Sequence, residues 1–137
     1  CQNATLVPQV AVLHSQTARY ARERSVYKFD ANALGNLLGT LNALLYNQLS
    51  TEILSEHHLR GQMAKYPLIV IPEWQELDAT FRDELLTYAR QGGNLLVIGS
   101  ETVNLFGNAL GVEMDANTRT AHYVGTLKEL TGVRTAY

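Results

Sequence analysis

The sequence predicts an α/β domain built on a parallel sheet with helices on both faces, and three observations carry that prediction. Short apolar runs recur at Val10 to Leu13, Leu68 to Ile71 and Leu95 to Ile98, each of the length and character of a buried strand. Between them lie two segments with the three-and-four spacing of an amphipathic helix, Leu34 to Leu49 and Phe81 to Ala89. Prolines and glycines stand at the joints, at Pro67, Pro72 and Gly92-Gly93. Strands that alternate with helices take right-handed crossovers, which gives a doubly wound, flavodoxin-like sheet.

The elements follow in order. Val10-Ala11-Val12-Leu13 stops at the polar His14-Ser15-Gln16 and reads as the first strand. From Gln16 to Asp30 the chain is polar, with Arg19, Tyr20, Arg22, Arg24, Tyr27 and Lys28 and no sustained apolar period, so it reads as a long loop with at most a helical turn. Leu34, Leu37, Leu38, Leu41, Leu44, Leu45 and Leu49 then form one stripe of a helix that Asp30 or Asn32 can cap. Gly35 and Gly39 within it read as points of close packing. Thr51 to Leu54 fits a short second strand, and Ser55 to Lys65 reads as a polar connection.

Pro67-Leu68-Ile69-Val70-Ile71-Pro72 is apolar on both faces and bounded by prolines, as buried parallel strands are. Asp78 is placed to cap the next helix, and Gly92-Gly93 to end it, because glycine accepts the left-handed conformation past a helix terminus. Asn94 to Gly99 is the following strand, and Val103, Phe106 and Leu110 fit a short helix that Ser100 caps and Gly111 closes. The tail from Val112 to Tyr137 is polar and rich in threonine, with room for an edge hairpin or a helix around Leu127 to Leu130.

Composition narrows the function classes. The 137 residues read as one domain, 1–137, with 46% hydrophobic and 18% charged residues, which is globular composition. A net charge of -2 supplies no field for nucleic acid or anionic lipid. Apolar runs such as Leu68 to Ile71 fall far below the roughly 20 residues of a membrane-spanning helix. Cys1 is the sole cysteine, which excludes an intrachain disulfide and a cysteine cage for zinc. No phosphate-cradling glycine motif occurs between a strand and a helix, so no cofactor is expected.

Ligands of doubly wound sheets sit outside the carboxyl ends of the strands. The residues there are His14 and Ser15, Glu73 and Trp74, and Ser100 and Glu101. Ser100 opens a helix after a strand, where a nucleophile elbow would stand, with His14 and Glu73, the latter an acid or a base, as the conceivable assistants. The glycine pattern of such an elbow is missing around Ser100, and a helix cap is the plainer role. His57 and His58 are adjacent, and neighbouring residues point in different directions, so no metal face is expected. Arg19, Tyr20, Arg22, Tyr27 and Trp74 combine the residue types that anchor interfaces, and Trp74 can also stack on a sugar.

Taken in order, the first strand and long polar loop, the leucine-rich helix, Tyr66-Pro67-Leu68-Ile69-Val70-Ile71-Pro72-Glu73, a helix, and Arg90-Gln91-Gly92-Gly93-Asn94-Leu95-Leu96-Val97 resemble the trimerisation domain of family 42 β-galactosidases. The similarity covers about residues 10 to 100. It implies a class I glutamine amidotransferase-like fold, in which the nucleophilic cysteine would stand at Ser100 or a neighbour. No cysteine is present there, and no His-x-Glu pair follows near the C-terminus. The resemblance therefore implies a non-catalytic accessory or oligomerisation domain, a piece of a larger glycoside hydrolase, with the host's catalytic domain or sister subunits as partners and carbohydrate as a further ligand. The alternatives are a small hydrolase or amidotransferase-like enzyme using Ser100, and a carbohydrate-binding module.

Overall fold

A computed structural model describes residues 7–18 and 34–111. The expected caps Asp30 and Asn32, the rim residues Arg19, Tyr20, Arg22 and Tyr27, and the tail from Val112 lie outside the described residues.

The elements run β1 (Val10–Leu13), α1 (Gly35–Tyr46), β2 (Thr51–Leu54), α2 (Glu56–Leu59), a 3-10 turn at Met63–Lys65, β3 (Leu68–Ile71), α3 (Ala79–Arg90), β4 (Asn94–Val97), α4 (Ser100–Phe106) and a 3-10 turn at Gly107–Leu110. The strands form one parallel sheet in the order β2-β1-β3-β4. Parallel pairing of β3 with β4, expected from their continuous apolar runs, is present with Ile69 opposite Leu95 and Ile71 opposite Val97.

Strand alternation sends two sets of side chains to two cores. Ala11, Leu13, Ile69 and Ile71 meet Leu59, Met63, Phe81, Leu85 and Phe106, so α2, α3 and α4 cover one face. Val10, Val12 and Val70 meet Leu37 of α1 on the other. Phe81 and Leu85 have no exposed surface, and burial of side chains of this size is worth about 1.5–3 kcal/mol each. The connection from Ser55 to Lys65, expected to be a polar loop, is a correction: it forms a helical turn and a 3-10 turn that bury Leu59 and Met63. The backbone leaves the helical conformation at Arg60 and takes a positive φ at Gly61, and Leu59 before this break and Met63 after it both face the core.

Local stop and start signals act as expected in α3. The Asp78 carboxylate accepts from the Phe81 amide. Hydrogen bonds from Thr80 and that amide, with the Arg60 guanidinium alongside, hold the Asp78 carboxyl below its usual range. Arg60 also reaches Glu84 at 2.5 Å and so ties the end of α2 to α3. Gly92, at φ +98, ends the helix. Two expectations for α1 differ from the structure. Leu38 and Leu45 remain about half exposed, because the strip of helix that touches the sheet is narrower than the leucine stripe. Gly35 and Gly39 are not packing points, since a Cβ at either would meet nothing within 4 Å.

Tyr66, just before β3, ties to the edge strand β2 through its hydroxyl, which donates to Glu52 at 2.7 Å. Burial first, then the Glu52 carboxylate, pushes its pKa from 10.0 up to about 12. A raised acid pKa means that the unfolded chain loses the proton first. Tyr66 therefore contributes its full stability below pH 10, and that share is lost as pH rises toward 12. Urea midpoints should fall over that window, and fall less steeply in Tyr66→Phe. Burial also raises Tyr88, so some alkaline dependence persists in the variant; equal slopes would rule out the Tyr66 share.

Candidate functional site

The sheet order fixes where a ligand crevice would open. The chain leaves β1 toward β2 on one side and reaches β3 on the other, so the strand order reverses between β1 and β3. The residues after those strands, His14-Ser15 and Glu73-Trp74, border that point.

Trp74 fills it. Its indole N–H donates to the Leu13 carbonyl at 2.8 Å, and 4% of its surface remains exposed. Its backbone N–H donates to the Thr102 hydroxyl at 2.8 Å, and that hydroxyl donates to the Trp74 carbonyl at 2.9 Å. Thr102 is wholly buried in α4 and holds the turn after β3 inward. The His14 ring stands edge-on to the indole at 5.8 Å between centroids. Trp74 is thus not an exposed interface anchor or sugar platform. That expectation is corrected, because satisfying the indole N–H at Leu13 places the ring inside the domain.

Ser15, also wholly buried, donates to Glu56 at 2.5 Å, while the Gln16 amide donates to the other Glu56 oxygen at 3.1 Å. The Ala18 amide donates to the Ser15 hydroxyl at 3.1 Å, so Ser15 caps a helical turn at residues 16–18. Both carboxylate oxygens of a buried acid are therefore satisfied, which is the condition for keeping it there. Ser15 stands among the residues expected at the carboxyl edge, whereas its partner Glu56, 41 positions on, does not.

Glu73 accepts from the Asn36 side chain at 2.6 Å and joins the end of β3 to α1. Its methylene carbons lie against Gly99, where a Cβ would come within 2.6 Å of Cγ. Gly99 also has φ +92 and is itself the residue before α4. Ser100 is the first residue of that helix and makes no capping hydrogen bond, which corrects the expected cap: the turn needs a positive φ at Gly99, and Ser100 follows one place too late. Among the described residues, no hydrogen bond joins His14, Glu73 and Ser100.

A third cluster follows β2. The Ser55 hydroxyl lies 3.0 Å from His57 Nδ1 and 2.9 Å from His58 Nδ1, and the two rings are 3.9 Å apart. The short helix α2 turns them toward one atom, against the expectation that they diverge. A hydroxyl carries one proton, so it donates to one imidazole and accepts from the other. No carboxylate forms an ion pair with either ring among the described residues, and catalytic imidazoles need such an orienting group. The described residues hold no group of three or more His, Cys, Asp or Glu suited to a metal, and no helix among them is long and apolar enough to cross a membrane. A cavity of about 600 Å³ lies instead along α3, lined by Met63, Thr80, Glu84, Thr87 and Tyr88 among others, none of which belongs to the carboxyl-edge clusters.

Residues 8–137 match the family model described as the β-galactosidase trimerisation domain. The fold is also similar to the crystal structure of a β-galactosidase from Bifidobacterium adolescentis, with a TM-score of 0.56 and 22% identity over 71% of this chain. The chain spans 43% of that protein's length. No match is found among curated proteins.

Proposed function

The chain belongs to the β-galactosidase trimerisation domain family, and from that premise we propose that it is a non-catalytic domain that assembles the subunits of a glycoside hydrolase. In this reading residues 1–137 are one α/β domain of a longer enzyme. Its partners are sister subunits and the host's catalytic domain, and carbohydrate is the host's substrate.

The observation that supports this most directly is the closed crevice. A doubly wound domain that acts on small molecules keeps the switch point open. Here Trp74 occupies it, Thr102 fixes Trp74, and Ser15 is committed to Glu56. Among the described residues Ser100 has no base or acid in hydrogen-bond contact, so none of them serves a nucleophilic role as proton acceptor.

The test measures mass in solution and hydrolysis together. The chain should associate, and it should release no product from chromogenic ester, amide or galactoside substrates above the buffer rate. Ser100→Ala should change neither property and alter stability by less than about 0.5 kcal/mol, since no cap is lost. A hydrolytic rate that disappears in Ser100→Ala, with folding intact, would revive the enzyme reading.

A further inference from the structure

We propose that the outer face of α1, with Leu38, Leu45 and Tyr46, together with Ile53 on the neighbouring edge strand, is the surface on which a second copy of this chain docks. The inference rests on the assembly reading above and names the surface that performs it.

The two long helices differ in what they show to water. The outer side of α3 carries Asp83 and Arg90, with Arg82 and Glu84 beside them, as a helix that borders solvent usually does. No charged residue occurs from Ala31 to Thr51, which contains all of α1. Its exposed positions are Gly35, Asn36, Leu38, Gly39, Asn42, Ala43, Leu45 and Tyr46. Leu38 and Leu45 keep 51% and 52% of their surface exposed, and Tyr46 keeps 88%.

The arrangement of these residues fits a helical occupant. Leu37 and Leu44 turn toward the sheet, so Leu38 and Leu45, one position later, form a second seam about 100° around the helix. A spacing of seven residues is the repeat by which one helix presents a continuous ridge to another. Gly35, Gly39 and Ala43 stand at intervals of four on the outward side and leave a shallow track, open at both glycines. A ridge of leucines from one copy can enter the track of the next. Ile53 extends the patch: it lies opposite Val12 in the sheet register, hence on the face that α1 covers, and is 45% exposed on the outermost strand.

A second copy is the occupant these features select. The surface offers no charge with which to choose a partner of opposite sign, and two copies of it can meet without either burying an unpaired charge. Ridge and track are different parts of the same helix, so contact from one copy to the next can be head-to-tail and close into a ring. The family description, a trimerisation domain, calls for such a contact.

The experiment follows mass against concentration by sedimentation and light scattering for the chain, for Leu38→Lys/Leu45→Lys, for Tyr46→Glu, and for Thr87→Lys on the exposed side of α3 as control. The wild type should associate, the two α1 variants should need at least about tenfold higher concentration to do so, and the control should match wild type. Tyr46 is too exposed for its replacement to unfold the domain, which far-ultraviolet circular dichroism would check. If the wild type associates and both α1 variants follow the same curve, the surface is wrong and the assembly reading stands. If the wild type stays a monomer throughout, the assembly reading fails and this inference with it.

Discussion

Trp74→Ala is expected to destabilise the domain by about 3–5 kcal/mol, the range for removing a fully packed tryptophan. Three losses add up. The cavity opens between β1 and β3, the Leu13 carbonyl loses its 2.8 Å donor, and the His14 ring loses the edge-on contact. Trp74→Phe separates them, because the ring is mostly kept while the N–H is removed; it should cost about 1–3 kcal/mol for the unpaired buried carbonyl. Urea unfolding followed by circular dichroism gives both numbers. The single tryptophan supplies a second reading in the wild type: its emission should be blue-shifted when folded and move red in the same transition. A Trp74→Ala variant as stable as wild type would mean that the indole does not close the crevice, and the case against a small-molecule site would lose its main support.

Much of the architecture was written locally. Strand β3 needed only four neighbouring residues between two prolines, and the start of α3 needed Asp78 three positions before the amide from which it accepts. Gly92 marks the end of that helix by a backbone freedom that belongs to the residue itself. The clusters at the carboxyl edge were not written that way. Ser15 and Glu56 are 41 positions apart, and Trp74 depends on Leu13, 61 positions before it, and on Thr102, 28 after. Nothing near Trp74 in the sequence distinguishes an inward indole from one that faces a partner, so the residue types of an interface anchor were a misleading guide.

Other differences lie between these limits. Leu59 and Met63 belong to two separate turns with a break at Arg60 and Gly61 between them, and the His, Arg, Gln and Lys residues around them dilute the apolar signal. Gly99 and Ser100 exchange roles by one position: serine is the better cap by chemistry, yet the chain must turn at φ +92 beside Glu73, and only glycine meets both conditions without strain. The same stripe of leucines that identified α1 as a helix also concealed its second face. Periodicity reports how apolar a stripe is, whereas the curvature of the sheet and the diameter of the helix decide how much of it is covered.

Gly93→Ala should be the costlier of two adjacent glycine substitutions, for a reason that the sequence pair Gly92-Gly93 does not reveal. Gly92 has φ +98 and open space around it, so Gly92→Ala adds only backbone strain, about 1–2 kcal/mol. At Gly93 a methyl group would lie 2.2 Å from Cζ of Tyr88. That ring cannot simply swing away, because it is buried and its hydroxyl donates to the Tyr66 carbonyl at 2.8 Å. Relief must come from moving β4 or breaking the Tyr66 bond, so a loss of about 3 kcal/mol, at the upper end for overpacking, is expected. The decisive comparison introduces Gly93→Ala into Tyr88→Ala, where the ring is absent. There the penalty should shrink to a few tenths of a kcal/mol, which makes nearly the whole cost a coupling between two residues. A penalty unchanged in that background would assign it to the backbone at Gly93 instead. The close approach matters beyond stability, because Asn94 follows at once and pairs with Leu68. The Tyr88–Gly93 contact thereby holds the register of β4, and that register delivers Gly99 to the Glu73 side chain at the closed carboxyl edge.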